Sequence, residues 1–179
     1  KRNYPRYAFL SYISKSFNEL KKIKKIGTSS FRRQAQLNLL RNDITIVPMR
    51  GNIDTRLAKL KNKEFDAIVL SLAGIQMLNL KKEVKEIFSI NKMLPAIGQG
   101  AIALQCREKD QKTLNILERI NDKETYYCIQ AERAVLEAIG GDCDTAVGGL
   151  AEISNKKIFI KSELFSNDGS KKFEVTGSG

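Results

Sequence analysis

The 179-residue chain contains no histidine and no tryptophan. Without imidazole, Ser–His and Cys–His nucleophile pairs, His-ligated zinc and imidazole acid–base catalysis are all excluded. Chemistry must use carboxylates, lysine, arginine or thiol. Cysteine is scarce: Cys106, Cys128 and Cys143 are odd in number and too far apart for a CxxC pair. Neither a disulfide framework nor a zinc knuckle is supported, and a reducing compartment is expected. Long apolar runs are lacking too. Ala67-Ile68-Val69-Leu70 and Ala101-Ile102-Ala103-Leu104 fall far short of the roughly 20 residues that cross a bilayer. No charged-then-apolar leader opens the sequence, so neither a membrane span nor a secretory signal is expected.

What the chain does have is a hydrophobic content of 42%, enough for a core in one large domain or two small ones. Its charge is lopsided. Residues 1–33 hold ten Lys or Arg against the single acid Glu19, and so supply +9 of the net +11. Such asymmetry suits an anionic partner: nucleic acid, an acidic membrane, or a polycarboxylate or phosphate ligand. Nucleic acid ranks last, because few aromatics interleave the basic residues and no helix-turn-helix or RNA-stacking motif is present. Lys21, Lys22, Lys24 and Lys25 read as a solvated face and a long-range field, since a lysine run offers no fixed geometry.

From Lys21 to about Leu80, short β-rich runs alternate with helix-period stretches, the pattern of βαβ units and a parallel sheet. Strands are expected at Ile23 to Ile26, Ile44 to Val47 and Ala67 to Leu70. Between them lie a helix with Phe31, Ala35 and Leu39 on one stripe and another, capped by Asn52, carrying Ile53, Leu57 and Leu60. Lys81 to Lys92 reads as a short charged helix plus loop. After the Gly98-Gln99-Gly100 turn, Ala101 to Gln105 reads as a further strand. Two helices follow, Gln111 to Ile120 and Lys123 to Ile139, with Asn121 and Glu124 at capping-box spacing and Gly140-Gly141 as the stop. Val147 to Glu152, Lys157 to Phe165 and Lys171 to Val175 then read as antiparallel strands of a separate α+β unit.

Two strand-to-helix corners carry the chemistry. At Gly27-Thr28-Ser29-Ser30-Phe31-Arg32-Arg33, free backbone N–H groups, hydroxyls, a helix dipole and two guanidinium groups converge. At Arg50-Gly51-Asn52, with Arg56 six residues after Arg50, two more arginines reach the same sheet edge, and Gly51 permits close backbone approach. The plainer reading of the first corner is an N-cap with two solvated arginines. Four together suggest a pocket for several carboxylates, which the planar fork of arginine suits. Gly74 marks a third corner. Cys143, in Gly140-Gly141-Asp142-Cys143-Asp144-Thr145, is the one thiol placed in a loop. Its flanking aspartates should raise its pKa, which argues against an activated nucleophile. It reads as a covalent attachment point or as an exposed, idle thiol.

The runs KIGTSSFRRQAQL, MRGNIDTRLAKL, FDAIVLSLAGI, LPAIGQGAIALQCR and AERAVLEAIGGDCDTAVGG, in this order and spacing, resemble the porphobilinogen deaminase (hydroxymethylbilane synthase) family. The resemblance implies an α/β fold with a two-lobed, periplasmic-binding-protein-like architecture plus a small α+β C-terminal domain. It implies a transferase of tetrapyrrole (haem and chlorophyll) biosynthesis that joins four porphobilinogen molecules into hydroxymethylbilane with release of ammonia, on a covalent dipyrromethane cofactor. By motif, Cys143 would form the thioether. Thr28, Ser30, Arg32, Arg33 and Arg56, with Ala73 and Gly74, would hold the cofactor, while Arg50, Arg56 and Arg33 would meet substrate. No metal is implied. A non-catalytic two-lobed binder of small anions is the alternative.

Three departures qualify the transfer. Met77 stands where the family usually has an arginine. The family's catalytic aspartate is expected upstream of Lys1, so no residue here inherits its role, and the last helix of the third domain is expected beyond Gly179. The implied organisation is a remnant of domain 1 at 1–7, domain 2 at 8–92, a return segment into domain 1 at 93–113 that gives the strand Ala101 to Gln105 its sheet, and domain 3 at 114–179. The 179 residues alone are expected to be unstable or to need the missing N-terminal part as companion. The complete protein is expected to be a monomer in the cytoplasm or plastid stroma, with porphobilinogen and the growing polypyrrole as ligands and neither nucleic acid nor membrane as partner.

Overall fold

The structure, a computed structural model, describes residues 1–142, 145–166 and 169–179. The chain first lays down β1 (Tyr7–Ser11), β2 (Lys25–Gly27), α1 (Phe31–Leu40), β3 (Thr45–Val47), α2 (Ile53–Lys61), β4 (Ala67–Ser71) and α3 (Leu72–Met77). A single 3-10 turn at Lys81–Glu83 leads to β5 (Glu86–Ile87). These strands form one sheet in the order β3-β2-β4-β1-β5. The parallel sheet expected from the βαβ pattern is present in β3, β2 and β4. The whole sheet is mixed, because β1 runs antiparallel to both β4 and β5.

Period-two side-chain alternation divides the core between the two faces of this sheet. Tyr7 and Phe9 of β1, with Ala67 and Val69 of β4, pack under Leu37 of α1. Ala8, Leu10, Ile68 and Leu70 face the other way, against Leu60 of α2 and Leu72 and Ile75 of α3. Both faces are therefore covered, which is why β1 and β4 read as continuous apolar runs. Phe9, Phe17 and Phe88 meet edge-on with centroids 5.6 to 6.3 Å apart and close one end of the first layer.

The second unit comprises α4 (Gln111–Ile120), α5 (Lys123–Ala138) and an antiparallel meander of β6 (Val147–Ser154), β7 (Lys157–Phe165) and β8 (Lys172–Ser178). Asn155 and Lys156 both have positive φ (50° and 61°), the geometry that joins β6 to β7 through a two-residue hairpin. Asn167 and Asp168, between β7 and β8, lie outside the described residues.

Three expectations are corrected. Residues 81–92 hold no α-helix: the short edge strand β5 pairs with Ala8 and Phe9 because Phe88, next to it, is fully buried in the aromatic cluster. The cap of α5 is Asp122, which accepts from the Thr125 N–H at 2.9 Å; Asn121 is instead the extended residue that ends α4. Ala101 to Gln105 forms no strand, since an apolar run needs a neighbouring ladder to pair with and none among the described residues reaches it. Ile102 and Leu104 stand 71% and 59% exposed.

The units are stitched together at buried polar points. The Gln36 amide of α1 donates to the Leu94 carbonyl (3.0 Å) and accepts from the Leu94 N–H (2.6 Å). Gly149 of β6 donates to the Pro95 carbonyl at 2.9 Å. Glu132 of α5, with no exposed surface, accepts from Gly98 N–H (2.7 Å), Ala151 N–H (2.8 Å) and both terminal nitrogens of Arg2 (2.5 and 3.2 Å). Gly100, at φ +86°, accepts at its carbonyl from the Asn3 N–H (2.8 Å), and a Cβ there would run into the backbone of Asn3.

Candidate functional site

Strand β2 ends at Gly27, and the next three residues turn the chain into α1. Thr28 is buried; its N–H donates to the Val47 carbonyl (3.0 Å), and its hydroxyl accepts from the Ser30 N–H (3.2 Å). Ser30 caps α1 by accepting from the Arg33 N–H at 3.4 Å. Ser29, between them, donates to the Met49 carbonyl (3.0 Å) and accepts from the Met49 N–H (2.9 Å). The first corner is thus clasped to the second one residue before Arg50. At that second corner Gly51 adopts φ +115°, a conformation glycine tolerates and a side chain would not, as a Cβ would also press on Thr55. Asn52 then caps α2 by accepting from the Thr55 N–H at 2.9 Å.

These corners carry the four arginines. Arg32 donates from Nε and Nη2 to the Tyr7 hydroxyl (3.2 and 2.9 Å), and from Nη1 to the Val147 carbonyl at a long 3.4 Å. Arg33 donates to the Val69 carbonyl (3.0 Å), its guanidinium carbon lies 4.9 Å over the Tyr7 ring, and its Nε–H is buried without an acceptor among the described residues. Burial pushes the Arg33 pKa below its ordinary value; Tyr7 works against that shift, while the like charges of Arg32 and Arg56 add to it. Arginine stays protonated regardless, so the site holds repelling cations. Arg56 donates to the Gly51 carbonyl (2.7 Å), and Arg50 is exposed, with no hydrogen-bond partner among the described residues.

Lack of an acid partner does not by itself single these four arginines out, since Arg6, Arg119 and Arg133 also bond to no carboxylate among the described residues; the place of the four on two adjoining corners does. Arg2, Arg41 and Arg107 each pair with a carboxylate, of Glu132, Asp43 and Asp110 respectively. Among the described residues no carboxylate bonds to Arg32, Arg33, Arg50 or Arg56. An unpaired cationic group of this kind is a docking point for carboxylates that come from outside. That donor set fits a dipyrromethane with its several acid side chains. No cluster of metal-ligating residues occurs among the described residues.

The remaining predicted positions divide. Ala73 is buried at the start of α3, and Gly74 is half-buried, with Ile53 so close that a Cβ would come within 2.8 Å of it. What the structure places there is packing between α3 and α2. Met77 is 66% exposed and offers no N–H donor. Cys143 lies outside the described residues. Of the residues near it in the chain, Asp142 and Thr145 are joined: the N–H of each donates to the other's side chain (2.9 and 3.1 Å). Ala146 packs with Phe165 against Ala35 of the arginine-bearing helix α1. An open cavity of about 360 Å³ between Thr145, Leu164 and Phe173 is largely apolar and holds no cation.

Sequence reasoning missed Tyr7 and Ser29. A tyrosine heading an apolar run reads as core, and it is core: only the fold reveals that its hydroxyl meets Arg32. Ser29 sits inside the motif, but its role depends on Met49, 20 residues on.

Comparison with known proteins follows the same line. Residues 1–115 match the family described as "Porphobilinogen deaminase, dipyromethane cofactor binding domain", and residues 126–179 match "Porphobilinogen deaminase, C-terminal domain". A porphobilinogen deaminase of Ehrlichia chaffeensis is 44% identical over 94% of this chain and 56% of its own length. One from Brevibacillus brevis is 39% identical over the whole chain and 58% of its own length. The chain thus spans a little over half the length of these relatives. Among solved structures, a YaeC-family lipoprotein of Enterococcus faecalis is 16% identical with a TM-score of 0.42, covering 74% of this chain and 65% of its own. A periplasmic binding protein of Salmonella typhimurium with high arginine specificity reaches a TM-score of 0.38 at 16% identity, covering 77% and 59%. Those two likenesses are too loose to add to the fold described above, whereas the two family matches cover most of the chain: it belongs to the porphobilinogen deaminase family.

Proposed function

We propose that the complete protein is a porphobilinogen deaminase, joining four porphobilinogen molecules head to tail into hydroxymethylbilane with release of four molecules of ammonia. The observation that carries this reading is the set of four arginines at two clasped corners, none held by an acid among the described residues. Each pyrrole of the substrate brings two carboxylates, so a chain of them needs several fixed cationic partners.

In this reading Thr28, Ser30, Arg32, Arg33 and Arg56, with the backbone at Ala73 and Gly74, hold the dipyrromethane, and Cys143 bears its thioether. When bound, the dipyrromethane supplies the pyrrole terminus on which the chain is built. Arg50, Arg56 and Arg33 orient the carboxylates of incoming substrate, and Arg50, being exposed and unengaged, is the one best able to follow them. The arginines act by fixed charge and geometry that need little reorganisation once the corners have folded. The division into segments 1–7, 8–92, 93–113 and 114–179, a monomeric state and a cytoplasmic setting belong to the same proposal. Cys106 and Cys128, both free thiols, accord with a reducing compartment.

The test is porphobilinogen consumption by the complete protein carrying Arg33→Ala or Arg56→Leu. A charge-assisted hydrogen bond contributes about 1.5–3 kcal/mol, so each substitution should cost about ten-fold or more in kcat/KM. Unchanged consumption by both would mean that the carboxylate sites are misplaced.

A further inference from the structure

Tyr7 has no exposed surface, yet it is bound up with both arginines of α1. Its hydroxyl accepts from two nitrogens of Arg32, and its ring lies beneath the guanidinium of Arg33. Arg32 also points Nη1 at the Val147 carbonyl, so three of the five N–H donors of a guanidinium are engaged. Two remain, the number a carboxylate takes in a fork. A buried acid in place of Tyr7 would orient Arg32 equally well, but it would also neutralise it. The phenol orients without cancelling charge, and its face accommodates Arg33 beside a like charge.

We propose that Tyr7 is a positioning residue that holds Arg32 and Arg33 as an aligned, uncompensated pair of cations, so that a polycarboxylate pyrrole meets both at once. This rests on the carboxylate-binding reading above. Tyr7 touches no ligand itself and acts through Arg32. Because Arg32 reaches from Tyr7 in the five-stranded sheet to Val147 in β6, the same contact sets the arginine against the first strand of the second unit.

The experiment is a double-mutant cycle on cofactor loading. Full-length apoprotein is incubated with porphobilinogen for a fixed time, and intact mass gives the concentration at which half the protein has gained two linked pyrroles. Tyr7→Phe keeps the ring under Arg33 and removes only the hydroxyl. It is expected to raise the half-loading concentration about ten-fold, as is Arg32→Ala. If Tyr7 acts only through Arg32, the double variant lies within about two-fold of Arg32→Ala alone. A double variant near the product of the single effects, or wild-type loading by Tyr7→Phe beside impaired Arg32→Ala, overturns the proposal and leaves the carboxylate reading intact. Wild-type loading by Arg32→Ala would remove both. Arg32→Lys approaches the same point with Tyr7 and its packing untouched. It keeps the charge and loses the fork, so it should load as poorly as Arg32→Ala, and wild-type loading by it would also overturn the proposal.

Discussion

Replacing Glu132 with glutamine exchanges one carboxylate oxygen for an NH2 group at nearly constant volume, in a place where every neighbour is a donor. One oxygen accepts from Arg2 and Ala151, the other from Arg2 and Gly98. Whichever oxygen is replaced, the new NH2 faces two N–H groups, and the Arg2 charge, 12% exposed, loses its counter-ion. Breaking one partner of a buried ion pair costs about 3–5 kcal/mol. With a slope of about 2 kcal/mol/M, the lower figure moves a urea midpoint down by about 1.5 M. The assay is equilibrium urea unfolding of the full-length protein and its Glu132→Gln variant, followed by far-UV circular dichroism. A midpoint within about 0.3 M of wild type would refute the view that this carboxylate ties the N-terminal segment, the Gly98–Gly100 turn and β6 together.

Other consequences follow from single contacts. Lys172 and Lys161, hydrogen-bonded to Glu174, hold its carboxyl down at about 2 against an ordinary 4.5. Because the folded pKa is depressed, its contribution to stability is present above pH 4.5 and is lost as the pH falls from there through about 2. NMR titration should therefore find Glu174 ionised at pH 3.5, and Lys172→Ala should move its midpoint upward; an unmoved midpoint would contradict the assignment. Gly100→Ala forces a side chain into a left-handed backbone position against Asn3, and should cost about 2 kcal/mol or more in the same urea assay. Ser29→Ala unclasps the two arginine corners. It should raise KM for porphobilinogen several-fold in the complete protein while moving the urea midpoint little, and steady-state kinetics would show whether it does.

Much of the fold was legible because local signals and packing agreed. Helices α1, α2 and α4 begin where Ser30, Asn52 and Asp110 supply a side-chain acceptor, and β4 is an apolar run that the sheet buries on both faces. Where the sequence misled, the deciding partner was distant. β5 exists because Phe88 joins Phe9 and Phe17, and no local pattern in a lysine-rich stretch announces that. The strand expected at Ala101 to Gln105 has the right side chains and no ladder. At the site, the motifs gave the arginines and their approximate convergence, since strand-to-helix corners of a parallel sheet lie along one edge. They could not reveal that Glu132 would pair with Arg2, 130 residues away, nor that Tyr7 would join Arg32 to Arg33.

The central claim, a proposal, is that the arginine corners and Cys143 together hold a covalent dipyrromethane. The most direct measurement is the intact mass of the full-length protein under denaturing conditions, beside that of a Cys143→Ser variant. An added mass of two linked pyrroles in the first and its absence from the second is the predicted result. An unmodified mass after expression with ample porphobilinogen would contradict the account and leave the four arginines as a site for some other polycarboxylate.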